Sequence, residues 1–224
     1  MTAAGRLLVK ICGNTSVGDA LAAEEAGADF LGVVVDVPAS PRSVGAARAA
    51  EIRAAVHASV AVVLVNRPAA EIVRLAEAVQ PSAVQLHGDE TPEDVAALRA
   101  MLPCEIWKAI HIGPAGQPMS PQALRSYEDV GVARFVVDSI VRAGGRTIYG
   151  GTGKTADWPA ARRVAAEARV PCLLAGGITP ENVADAIRVV APAGVDVATG
   201  VELRPGVKDP EKMRRLVAAA RGAR

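Results

Sequence analysis

At 224 residues the chain has room for one barrel-sized domain or two small ones, and 50% hydrophobic against 22% charged residues excludes a disordered chain. Lys and Arg total 25 against 24 Asp and Glu, a net charge of +1, and aromatic residues make up only 3%. That leaves neither a basic field to hold nucleic acid nor enough ring platforms to stack bases.

Short runs rich in Val, Ile and Leu alternate with helical patterns from one end of the chain to the other. Strands are expected at 7–12, 30–35, 60–65, 83–86, 105–110, 134–138, 172–175 and 195–198. Helices are expected at 17–26, 46–56, 69–79, 92–101, 121–129, 159–168, 180–190 and 210–220. Several of them open with a proline behind a capping residue, as in Thr91-Pro92, Thr179-Pro180 and Asp209-Pro210. Strands that read as continuous apolar runs are buried on both faces, as in a parallel sheet. This strand–helix alternation is what an α/β fold of the (β/α)8 TIM-barrel type requires. The other candidate, an open doubly wound sheet, usually carries a Gly-rich fingerprint after its first strand, where this chain has Cys12-Gly13-Asn14-Thr15. No linker or low-complexity stretch divides the chain, so 1–224 reads as one barrel domain. The longest irregular segment, 139–157, falls between the sixth strand and its helix, and a loop of that length in a compact domain is usually functional.

The apolar runs are far too short to cross a bilayer. The amino terminus lacks the apolar h-region of a signal peptide, because its brief apolar stretch is interrupted by Lys10. Cysteines at 12, 104 and 172 follow neither disulfide-framework nor metal-ligand spacing. The expectation is a reduced, soluble, cytoplasmic protein with no metal, no membrane and no nucleic-acid partner.

In such a barrel the chemistry lies at the carboxyl ends of the strands, and phosphate binds after strands seven and eight. Cys12 closes the first strand on that face. Cys104 and Cys172 precede or open theirs and read as inert core thiols. Asp138 closes the sixth strand, where lost hydration favours a protonated carboxyl that can donate; a capping or salt-bridging aspartate is the other reading. Strands one and six lie well apart around the ring, so a thiol and a carboxyl could flank a substrate as base and acid without a metal. His87 ends the fourth strand near the rim, while His57 and His111 have no companions at ligand spacing and read as surface residues. Arg42, in Ser40-Pro41-Arg42, could hold a substrate carboxylate or be a solvated arginine. Glycines in Ala175-Gly176-Gly177-Ile178 and Ala198-Thr199-Gly200-Val201-Glu202 let backbone N–H groups approach an anion, or simply make tight turns. The run Gly150-Gly151-Thr152-Gly153-Lys154-Thr155 is similar to a nucleotide phosphate loop, but Ile148 stands where that pattern needs its first glycine. A lid or a phosphate cradle fits it better than a nucleotide triphosphatase.

Taken together, Lys10-Ile11-Cys12-Gly13, Ser40-Pro41-Arg42, Val84-Gln85-Leu86-His87-Gly88, Val137-Asp138-Ser139, Gly150-Gly151-Thr152-Gly153, Ala175-Gly176-Gly177-Ile178 and Gly200-Val201-Glu202 resemble the phosphoribosylanthranilate isomerase family. They stand in that family's order and spacing, with the Pro205-Gly206-Val207-Lys208-Asp209 run after them, and the match covers nearly the whole chain. The resemblance implies a cofactor-free Amadori rearrangement in tryptophan biosynthesis, by a monomer or homodimer acting on a small phosphorylated substrate. It implies Asp138 as general acid and Cys12 as general base, with Arg42 on the anthranilate moiety and His87 at the rim. Phosphate would be held by Gly151, Gly153, Gly176, Gly177, Thr199 and Gly200. Two departures stand out: Val33-Val34-Val35 and Val62-Val63-Leu64 occupy strands where relatives often carry phenylalanine, and Ala198-Thr199 replaces the usual Ser-Ser. The second leaves backbone N–H contacts to phosphate intact while removing a serine hydroxyl. Two rival readings are a related phosphosugar isomerase barrel, which typically places aspartate at both catalytic positions, and a barrel that binds a phosphosugar without turnover.

Overall fold

The computed structural model describes residues 6–112, 119–143, 146–149 and 157–223. The barrel strands are β1 (Leu8–Ile11), β2 (Phe30–Val35), β3 (Ser59–Leu64), β4 (Ala83–Leu86), β5 (Glu105–Ile112), β6 (Arg134–Ala143), β7 (Cys172–Leu174) and β8 (Gly194–Val197). The helices that follow them are α1 (Val17–Glu25), α2 (Ala46–Ala55), α3 (Ala69–Val79), α4 (Pro92–Arg99), α5 (Pro121–Asp129), α6 (Trp158–Glu167), α7 (Val183–Val190) and α8 (Pro210–Gly222). Each barrel strand pairs in parallel with the next around the ring, and β1 closes it by pairing with both β8 and β2. The architecture is a closed (β/α)8 TIM barrel.

Local chemistry sets the helix starts. Ser16, Thr91, Ser120, Asp157 and Asp209 each accept a backbone N–H from the first turn of α1, α4, α5, α6 and α8. Such caps satisfy donors that the helix itself leaves orphaned. Thr91 and Asp94 form a reciprocal capping box.

The expected Thr179-Pro180 start is displaced: α7 begins at Val183, after Asn182. The Asn182 side chain accepts from Thr179 N at 2.8 Å and donates to Gly177 O at 2.9 Å, so residues 179–182 fold back onto the preceding loop. The expected irregular segment 139–157 is also partly regular. β6 runs on to Ala143, and its extension pairs antiparallel with Arg146–Tyr149, from Ile140↔Tyr149 to Ala143↔Arg146. The physical cause is a β-branched run on each side of Gly144-Gly145, the two-residue spacing of a hairpin. Residues 150–156, including Gly151, Gly153 and the phosphate-loop-like run, lie outside the described residues.

Two apolar clusters divide the core. The larger lies between barrel and helices and includes Ile11, Leu31, Ile106, Phe135 and Met213. The smaller is made of Ala61, Ala83, Trp107, Val136, Leu173 and Ala175, with Phe30 against it, and occupies inward positions of β2, β3, β4, β5, β6 and β7. Alanines there make room for one large plug, the fully buried Trp107. Its ring meets Phe30 edge-on at 4.8 Å, its Nε1 donates to Glu105 Oε2 at 2.7 Å, and the Arg134 guanidinium lies 5.3 Å from it. Phe30, Glu105 and Arg134 are the first residues of their strands, so the plug closes the amino-terminal end and leaves the opposite end open. Trp107→Ala should therefore lower stability by about 3–5 kcal/mol, read as a shift in the urea unfolding midpoint with an unchanged slope.

Candidate active site

Side chains alternate across a strand, so β1 sends Lys10 and Cys12 inward together while Val9 and Ile11 pack outward into the large cluster. The same alternation brings Gln85 and His87 in from β4, His111 from β5, Asp138 from β6 and Asp196 from β8. Cys12, Arg42, His87, Asp138, Gly176, Gly177 and Thr199 all line one cavity at the carboxyl end of the barrel. Gly200 sits just behind it: an added Cβ would lie 1.9 Å from Ile178 O, so only glycine lets the loops after β7 and β8 meet. Gly176 and Gly177 both take positive φ, 86° and 63°, turning the loop after β7 in a way that side-chain-bearing residues resist.

The polar groups are held by partners beyond the expected set. The Arg42 guanidinium donates from Nε and Nη2 to the two Glu202 carboxylate oxygens, both at 2.8 Å. This fork fixes the guanidinium plane and leaves Nη1 without a hydrogen-bond partner among the described residues. Lys208 adds a second cation at Glu202 Oε1, 3.1 Å away, and also donates to the main-chain oxygens of Cys12 at 2.5 Å and Ala198 at 3.2 Å. Burial works against the Glu202 carboxylate, but Arg42 and Lys208 outweigh it and hold its pKa below the usual range. Burial also pushes the Lys208 ammonium down, against the pull of Glu202.

His87 faces Asp138, Nε2 to Oδ2 at 3.4 Å, and its Nδ1 contacts the Gln85 amide at 2.9 Å. The surface reading of His111 is overturned. β5 extends past its expected end at residue 110, placing His111 beside Asp138 in the parallel register and its ring 5.1 Å from that of His87. Burial, reinforced by His87, pushes the His111 pKa down to about 4, so it stays neutral at ordinary pH. The turn that carries His87 is pinned from behind. Glu90 accepts from Asn66 N at 2.8 Å and Gly88 N at 3.0 Å, and Lys108 Nζ bridges Gly88 O at 2.7 Å to Glu90 at 3.1 Å.

Burial raises the Cys12 pKa; Lys10 and Lys208 oppose that rise, and Asp196 adds to it. Burial also pushes Cys172 up to about 12, in keeping with an inert core thiol. Sequence reasoning missed Lys10, Gln85, Asp196 and the Glu202–Lys208 pair as neighbours of the site. Two-residue spacing from Cys12 and His87 was a usable signal for Lys10 and Gln85, whereas the Arg42–Glu202 fork spans residues far apart in the chain.

Comparison with known proteins bears on the whole barrel. The family model described as N-(5'-phosphoribosyl)anthranilate (PRA) isomerase matches residues 9–219. A Halobacterium salinarum protein named N-(5'-phosphoribosyl)anthranilate isomerase is 44% identical over 215 residues, covering 95% of this chain and 94% of the relative. The crystal structure of phosphoribosyl anthranilate isomerase from Thermus thermophilus superimposes with a TM-score of 0.81 at 33% identity, covering 97% of this chain and all of the other. A further structure of the isomerase, solved with reduced 1-(o-carboxyphenylamino)-1-deoxyribulose 5-phosphate, gives a TM-score of 0.77 at 31% identity over 96% of this chain and 99% of that one. Sequence identity, the closed barrel and full-length coverage converge: the chain belongs to the N-(5'-phosphoribosyl)anthranilate isomerase family.

Proposed function

We propose that the protein isomerises N-(5-phosphoribosyl)anthranilate to 1-(2-carboxyphenylamino)-1-deoxyribulose 5-phosphate, with Asp138 as general acid and Cys12 as general base. The observation that carries this reading is a thiol and a carboxyl, from strands well apart around one barrel, lining the same cavity beside glycine loops suited to phosphate. Asp138 gives a proton to the ribose ring oxygen as the C1–O bond breaks and the anilino lone pair forms a cationic Schiff base. Cys12 then takes the C2 proton, and the C–H electron pair becomes the C1–C2 double bond of an enolamine, quenching the cation. Ketonisation of that enolamine gives the product.

The cation also answers the electrostatic problem at Cys12. Burial disfavours a thiolate, and a positive Schiff base beside it shifts the balance toward the charged form at the step that needs a base. Arg42, restrained by Glu202, points its remaining donor toward the anthranilate carboxylate. Backbone N–H groups at Gly176, Gly177, Thr199 and Gly200 hold the phosphate, with Gly151 and Gly153 proposed on sequence grounds alone. His87 steadies Asp138. No helix among the described residues is long and apolar enough to cross a membrane. For a small phosphorylated substrate of amino-acid synthesis, we place the enzyme in the cytoplasm, without a cofactor. Every proposed group belongs to one domain, 1–224, acting as a monomer or a homodimer. A Thermotoga maritima structure, TM-score 0.79 at 32% identity, is described as monomers of a dimeric phosphoribosylanthranilate isomerase. Cysteine at position 12 argues against a related isomerase built on two aspartates.

Purified protein mixed with phosphoribosylanthranilate, without added metal, should consume the substrate's fluorescence; no turnover would sink the proposal. Cys12→Ala and Asp138→Asn should each lower kcat by about 10²–10⁴-fold with a smaller change in KM, measured in the same steady-state assay. In Asp138→Asn, where the acid no longer titrates, the Cys12 thiolate fraction alone grows with pH, so the residual kcat/KM of that variant should climb from about pH 6 to about pH 9. A profile flat across that range would exclude a thiol that must ionise.

A further inference from the structure

Lys10, in β1, and Cys12, directly after that strand, are successive inward residues, and Lys10 has no solvent exposure at all. Its strand register sets it opposite Asp196 of β8, and its Nζ lies 2.8 Å from Asp196 Oδ2. The same ammonium, two residues before Cys12 on the same inward face, opposes the rise that burial imposes on the thiol's pKa. A buried ion pair of this kind is a poor way to gain stability, since apolar residues of similar size often do as well or better. Moreover, the pair is not self-contained. Asp196 Oδ1 is buried with no hydrogen-bond partner among the described residues, and Asp196 lines the cavity.

We propose that Lys10 is a positioning residue for the proposed base, a buried counter-cation shared between Cys12 and Asp196, with Asp196 drawing its charge away from the thiol in the free enzyme. The inference rests on the reading of Cys12 as the base. Other charged and titratable groups face Cys12 from every side. Lys208, beyond β8, holds its main-chain oxygen; Arg42, after β2, is neutralised by Glu202; Asp138 and His87 lie across the cavity. β2 presents only Gly32, whose missing side chain leaves room for the sulfur. Lys10 and Lys208 both favour the thiolate, while Asp196, paired with Lys10, acts in the opposite sense. Burial works against the Lys10 ammonium, but Asp196 and Cys12 outweigh it and keep it charged.

The pair of opposite signs makes the test specific. The rate of Cys12 alkylation by iodoacetamide is measured against pH in the free enzyme, in a Cys104→Ser background with a Cys12→Ala blank. Cys172, pushed up to about 12, stays silent in this range. Asp196→Asn should lower the midpoint by about one pH unit, because it removes the opposing charge. Lys10→Met alone strands a buried carboxylate, so the double variant Lys10→Met/Asp196→Asn supplies the second arm. Its midpoint should lie at least about one unit above that of Asp196→Asn. Equal midpoints in the two variants, or a rise in Asp196→Asn, would overturn the proposal, since a merely structural pair predicts no such opposition. Failure of the base assignment would look different: Cys12→Ala would keep near-normal kcat whatever the midpoints.

Discussion

Parallel closure of the sheet is the constraint on which everything else depends. All barrel strands end at the same rim, and each residue's parity along its strand decides whether its side chain enters the cavity or the helix layer. A one-residue slip of β1 would send Ile11 inward and bury Cys12 and Lys10 among the helices. Register against β8 is therefore a chemical specification as much as a structural one, because it sets Lys10 beside Asp196.

The two ends of the barrel are specialised in opposite ways. At the amino-terminal end, small residues surround Trp107, and the polar groups there, Glu105 and Arg134, serve the packing. At the other end, polar groups are held by partners that are themselves held: Gln85 behind His87, Glu202 behind Arg42, and Lys108 with Glu90 behind the turn that carries His87. Burial makes each of these partners necessary, since an unpaired charge in such surroundings is costly. Stability and chemistry thus occupy separate layers of the same strands.

Most of the fold was legible because buried parallel strands write themselves as Val-, Ile- and Leu-rich runs, as 30–35 does in full. The start of α7 and the Ile140–Tyr149 hairpin were not, because a side-chain tie from Asn182 and a pairing across Gly144-Gly145 overrode simpler local signals. Cys12, Arg42, His87 and Asp138 could be named from strand ends and motif order. His111 was misjudged because two further residues of β5 carry it to the rim, and apolar patterning marks strand ends only loosely. Asp196 was overlooked because a lone carboxylate within Val195-Asp196-Val197 shows its purpose only once the ring brings it opposite a lysine from the other end of the chain.

Lys208 ties the main chain at Cys12 to that at Ala198, fastening the rim ends of the first and last barrel strands with one side chain. Thr15 adds a second tie to the same segment through Gly206 O at 2.6 Å. On a ribosome the chain emerges from its amino terminus, so the thiol appears well before its fastener, which follows 196 residues later. The site thus stays incomplete until Lys208 is in place, and a nascent chain stalled before that residue would carry Cys12 with its surroundings unfinished.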